Sequence, residues 1–142
     1  MSMAELRFEQ MEILMPLLRE ALSAGQSVRF SPTGVSMLPM LRQGIDSVVL
    51  SPVTGILKKY DIPLYRRDNG KIVLHRVVET AATYTCMGDN QDIPERGIRH
   101  EQVLAVVTGF YRGKRYFSVK HPLYRCYCRI WCGMRYLRNL LK

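Results

Sequence analysis

Three short segments carry the side chains best suited to acyl-transfer chemistry. The first is Gly34-Val35-Ser36-Met37-Leu38-Pro39, a serine in a turn opened by glycine and closed by proline. A free hydroxyl is a poor nucleophile, so Ser36 needs a general base within reach and backbone N–H groups aimed at a developing oxyanion. Gly34 gives the backbone the freedom to turn such groups inward. Leu38 stands where a hydrolase nucleophile elbow would need glycine, so that motif is excluded. The second segment is Ile72-Val73-Leu74-His75-Arg76-Val77-Val78, one histidine inside an apolar run. Neutral imidazole is the natural base near neutral pH. The third is Met87-Gly88-Asp89-Asn90-Gln91-Asp92, which offers Asp89 or Asp92 to orient the histidine and stabilise its imidazolium. Each segment alone has a plain structural reading: a turn serine, a satisfied core histidine, a polar turn.

Several elements must position them. Residues 3–24 have helical spacing, with Leu6, Leu14, Leu17, Leu18, Ala21 and Leu22 on one side and glutamates on the other. Pro16 should kink or restart this helix, and Gly25 should stop it. The expected strands are Val28–Phe30, Ser47–Leu50, Ile62–Tyr65, Ile72–Val78, Thr83–Met87, Val103–Tyr111 and Lys114–Val119. Within Ile72–Val78, alternation puts His75 on one face with Val73 and Val77, and Arg76 on the other. Asp68-Asn69-Gly70 and Arg112-Gly113 mark two hairpins. From residue 120 the chain is again helical, with Cys126, Ile130, Met134, Leu137 and Leu141 as an apolar stripe. The pattern predicts a mainly β, α+β fold: an N-terminal helix over 1–25, a β-rich domain over 26–119 and a basic amphipathic helix over 120–142.

Taken together and in order, the segments resemble the S24/S26 peptidase superfamily, which includes signal peptidase I and the self-cleaving LexA/UmuD proteins. The boxes that carry the resemblance are Ser36-Met37-Leu38-Pro39, Gly44-Ile45-Asp46 with the strand after it, Lys59-Tyr60-Asp61-Ile62-Pro63, His75-Arg76-Val77-Val78 and Gly88-Asp89-Asn90. Val103 to Gly109 looks like the family's last strand. The resemblance covers about residues 28 to 119. It implies a coiled β-sheet domain and peptide-bond hydrolysis with Ser36 as nucleophile, its main-chain N–H as oxyanion donor, His75 as base and Asp89 or Asp92 as third group. The His-Arg-Val box is similar to the histidine-base type found in archaeal and endoplasmic-reticulum signal peptidases. Gly34, two residues before the serine, is placed as in the LexA branch. The inserted Ile45 departs from the usual Gly-Asp. The resemblance also admits self-cleavage, with Ala24-Gly25 as candidate bond, although that bond lies only 11 residues before Ser36.

Charge supplies a separate signal. Met1 to Glu101 holds 12 Lys+Arg and 12 Asp+Glu; the rest holds 9 Lys+Arg and no acid, which accounts for the net +9. Such a tail suits an anionic partner, a membrane surface before nucleic acid, with Arg125, Arg129, Trp131, Arg135 and Arg138 as contacts. The same helix could instead dock on the domain by its stripe. The chain could then be a binding module without catalysis. Uncharged runs such as Ser47 to Leu57 fall far short of the ~20 apolar residues of a span. No secretory signal is evident in Met1 to Gln10, so the expected place is the cytoplasm, peripheral to the membrane inner face if the tail binds lipid. Cys86, Cys126, Cys128 and Cys132 lack a zinc-ligand spacing and read as reduced thiols; no metal or cofactor is expected.

Overall fold

The computed structural model describes residues 5–7 and 11–134. The chain is mainly β with two helices, an α+β arrangement. In chain order the elements are β1 (Glu5–Arg7), α1 (Met11–Ser23), β2 (Val28–Ser31), β3 (Ser47–Ser51), β4 (Pro63–Arg66), β5 (Ile72–Leu74), β6 (Arg76–Thr80), β7 (Tyr84–Met87), β8 (Glu95–Ile98), β9 (Val103–Arg112), β10 (Arg115–Ser118) and α2 (Pro122–Gly133). The larger sheet runs β1-β2-β3-β9-β4-β5, with β10 also on β9. Its pairs are antiparallel except β1 with β2. Register shifts at Val49/Leu50 and Leu64/Tyr65 bend the sheet where β9 meets β3 and β4. A second sheet holds β6, β7 and β8.

Both marked hairpins form. Gly70 and Gly113 take positive φ, as the β4–β5 and β9–β10 turns require. The expected strand Ile72–Val78 does not run through. It breaks at His75, β5 ending the larger sheet and β6 opening the smaller one. Two segments without a strand signal, β1 and β8, add edges to the two sheets.

The main core lies between the larger sheet and both helices. It contains Met15, Leu18 and Leu22 of α1, Phe30, Leu50, Leu64 and Val107 of the sheet, and Tyr124 and Cys128 of α2. A smaller core joins Tyr65, Val73, Val77, Tyr84, Cys86 and Ile98. Both helices depart from the expected faces. Residues 5–7 are strand, so helix α1 is shorter than 3–24 and Leu6 is not on it. It buries the set 15, 18 and 22, while Leu17 is 60% exposed. Gly25 ends it as foreseen, its N–H donating to Leu22 O and that of Gln26 to Ala21 O. In α2 the inward face is Tyr124, Tyr127, Cys128 and Trp131, whereas Cys126, Ile130 and Met134 of the expected stripe are exposed. Leu137, Leu141, Arg135 and Arg138 lie outside the described residues.

The α1 face is testable. Leu18→Ala should lower the unfolding free energy by about 2–5 kcal/mol in a denaturant titration, and Leu17→Ala should shift it by no more than about 0.5 kcal/mol. Equal losses would contradict the packing.

Candidate active site

The loop after β2 presents Ser36 in a run of turns, held from several sides. Gly34, in the left-handed region, donates its N–H to Gln43 Oε1 at 2.9 Å. Leu38 N–H donates to Val35 O, and Leu41 N–H to Met37 O. Arg112 Nη1 donates to the carbonyls of Pro39 and Met40, both at 2.7 Å. Buried Asp46, of the Gly44-Ile45-Asp46 box, takes bonds from Arg42 and from Gly113 N–H, tying the base of the loop to the β9–β10 hairpin.

The Gly88-Asp89-Asn90 box grips the same loop. Asn90 N–H donates to Ser36 O at 2.9 Å, and Asn90 Nδ2 to Val35 O at 3.1 Å. A Cβ on Gly88 would collide with Ser36 O, so only glycine admits this approach. Asp89 is engaged elsewhere. Its carboxylate takes Arg76 Nε at 2.8 Å and Nη2 at 2.9 Å, a bidentate pair with both side chains buried, and Tyr127 Oη at 2.7 Å. Arg76 Nη1 also donates to Tyr60 O, Tyr124 Oη and Cys128 Sγ, and Nη2 to Met40 Sδ. Burial pulls the guanidinium pKa down, but the Asp89 charge outweighs it and the pKa ends well above the ordinary value.

His75 is 5% exposed, at the point where the two sheets part. Its Nδ1 lies 3.4 Å from Tyr65 Oη, and Tyr65 Oη donates to Glu95 Oε1 at 2.6 Å. Glu95 is also paired with Arg67 Nε at 2.9 Å. Burial raises the Glu95 carboxyl pKa, yet the bonds from Arg67 and Tyr65 outweigh it and hold the group below its usual value. An ionised carboxylate only accepts, so the Tyr65 proton points at Glu95 and Tyr65 Oη must accept from His75. That places the imidazole proton on Nδ1 and a lone pair on Nε2. Burial, then the Arg67 charge, lowers the His75 pKa from 6.5 to about 4, against smaller upward pulls from Glu95 and Asp89.

Ser36 and His75 line one cleft of about 230 Å³, with Gly34, Arg67, Val73 and Gln91 among its walls. Among the described residues no hydrogen bond joins the two. Catalytic bonds of this kind are often long before substrate arrives. The third group expected from sequence is not delivered as foreseen. Asp89 clamps Arg76 and reaches His75 only as a charge; Asp92 is exposed and is not a wall of the cleft. The group on Nδ1 is Tyr65, backed by Glu95, and neither carried a signal in the sequence. Ala24-Gly25 forms the cap of α1 instead of entering the cleft. Trp131 turns inward, its Nε1 donating to Asp89 O at 2.8 Å, rather than facing a partner. Among the described residues no cluster of His, Cys, Asp or Glu could hold a metal ion, and no helix is long and apolar enough to cross a membrane. Comparison with family models, with curated proteins and with solved structures gave no match.

Two outcomes follow from this geometry. An NMR titration should place the His75 midpoint near 4. Because the folded chain holds the imidazole neutral, this group's contribution to stability is complete above about 6.5 and is lost as pH falls from there through about 4. A midpoint near 6.5 would place the ring in water. Asp89→Ala leaves Arg76 buried and unpaired, and should cost about 3–5 kcal/mol in unfolding free energy. A loss under ~1 kcal/mol, typical of an exposed pair, would contradict the pairing.

Proposed function

We propose that this chain is a serine peptidase of the S24/S26 kind, with a coiled β-sheet domain of the signal-peptidase/LexA type. The observation that carries the reading is that Ser36 and His75, 39 positions apart, wall the same cleft. Folding does not require a serine and an uncharged histidine to share a concave site.

In this reading, substrate binding closes the distance between Ser36 Oγ and His75 Nε2. Ser36 Oγ attacks the scissile carbonyl carbon while Nε2 takes its proton. The oxyanion falls to the Ser36 main-chain N–H, which among the described residues has no acceptor. Nδ1–H stays on Tyr65, so the ring holds its orientation, and the Glu95 and Asp89 charges favour the imidazolium as it forms. The imidazolium then gives its proton to the leaving amine. Water, deprotonated by the same nitrogen, frees the acyl group and restores Ser36. Since the unliganded base titrates near 4, it is unprotonated at neutral pH and ready to accept. Its weak basicity shifts more of the work onto the positioned oxyanion donors.

Self-cleavage at Ala24-Gly25 would require the α1 cap to unwind, so a substrate in trans is the reading retained. The test combines a fluorophosphonate probe with a fluorogenic peptide library. The parent should be labelled at Ser36. Ser36→Ala should lose labelling entirely, and His75→Ala should slow turnover by roughly 10²–10⁴-fold. Tyr65→Phe should slow it less while leaving the fold intact. Equal labelling of parent and Ser36→Ala would end the assignment.

A further inference from the structure

The outward face of α2 is divided along its length. One side carries Leu123, Ile130 and Met134, exposed at 68%, 60% and 45%. It borders an open groove of about 420 Å³ whose walls include Leu123, Phe110 and Phe117. The other side carries Arg125 and Arg129, which wall a second groove of about 300 Å³ together with Lys58, Lys59 and Lys120. Asp61 also lines that groove, and its carboxylate takes the Lys58 N–H. Among the described residues none of the five cations is in an ion pair. At spacings of 7 and 4 the three aliphatic side chains fall on one continuous strip of the helix rather than singly.

We propose that this face seats the protein on an anionic lipid surface, the five cations meeting headgroup phosphates and Leu123, Ile130 and Met134 entering the acyl boundary. Charge complementarity selects the partner: no acid occurs after Glu101, and five cations wall the groove on the opposite flank of the same helix. Nucleic acid is the poorer fit. A phosphodiester backbone has no use for the aliphatic strip, and the aromatic groups that would stack on bases, Tyr124, Tyr127 and Trp131, pack inward on the Arg76–Asp89 pair. The proposal is independent of the peptidase reading, because it concerns attachment and its readout is binding.

The experiment is co-sedimentation of the full chain with vesicles of phosphatidylglycerol mixed equally with phosphatidylcholine, and with pure phosphatidylcholine, across a salt series. Binding should occur on the anionic vesicles, weaken with salt and be absent on the neutral ones. Arg125→Glu with Arg129→Glu should lower partitioning by at least roughly 30-fold, from two charges near the surface. Leu123→Ser with Ile130→Ser should also lower it, although net charge is unchanged. Circular dichroism confirms that each variant is folded. The proposal is overturned by equal binding to neutral vesicles, by no binding to anionic vesicles at low salt, or by indifference to the aliphatic variant. It is also overturned if duplex DNA competes the chain off the vesicles.

Discussion

The structure is organised around one buried ion pair, Arg76 with Asp89. Moving two charges from water into a protein interior is expensive, and their mutual attraction rarely recovers the whole cost unless the remaining donors and acceptors are satisfied. Here they are satisfied by the serine loop, by the segment before β4 and by α2. The guanidinium reaches Tyr60 O before β4, Met40 Sδ in the serine loop, and Tyr124 and Cys128 on α2. The carboxylate takes Tyr127, and the Asp89 carbonyl takes Trp131. The pair therefore fixes where α2 lies and which loops face one another.

The candidate site is a by-product of that arrangement. Arg76 follows His75 directly, and Asp89 sits between Gly88 and Asn90, the residues that hold the Ser36 backbone. The ion pair thus joins the strand that carries the imidazole to the box that carries the serine loop. His75 sits between the end of β5 and the start of β6, where the chain changes sheets, and it walls the cleft that also holds Ser36. Burial keeps the ring neutral, while the Tyr65–Glu95–Arg67 chain sets which nitrogen carries the proton.

What could be read from sequence was what depends on local chemistry. The hairpins at Gly70 and Gly113 were legible because their turns need positive φ, and Gly25 ended its helix for the same reason. Ser36 and His75 stand out in the sequence by residue type and order, and the fold sets both on one cleft. The sheet change at His75 was not legible, because Ile72 to Val78 is uniformly apolar and pairing partners decide where it breaks. The Asp89–Arg76 pairing is not legible for a related reason: a carboxylate just past the end of β7 carries no local mark of the arginine on the neighbouring β6. Tyr65 and Glu95 are 30 positions apart and lie on different sheets, β4 of the larger and β8 of the smaller. On α2 the sequence shows an apolar stripe but leaves open whether it docks on the domain or faces outward, and the structure turns the aliphatic groups out. A buried ion pair needs hydroxyl, indole and thiol groups at its boundary, and aliphatic side chains offer none, so the aromatic face went in and the aliphatic one stayed out.

The orientation of α2 also links the two halves of the account. The side of α2 that completes the Arg76–Asp89 shell supports the serine loop, and its opposite side is left with cations and aliphatic groups. The most direct measurement on the central claim is a crystal structure of the chain reacted with a peptidyl phosphonate. The account predicts phosphorus bonded to Ser36 Oγ, a phosphonyl oxygen at the Ser36 N–H, His75 Nε2 within about 2.6–3.2 Å of the leaving-group side, and the Arg76–Asp89 pair unchanged. An adduct formed elsewhere, or one at Ser36 with His75 Nε2 turned from the cleft, would contradict it.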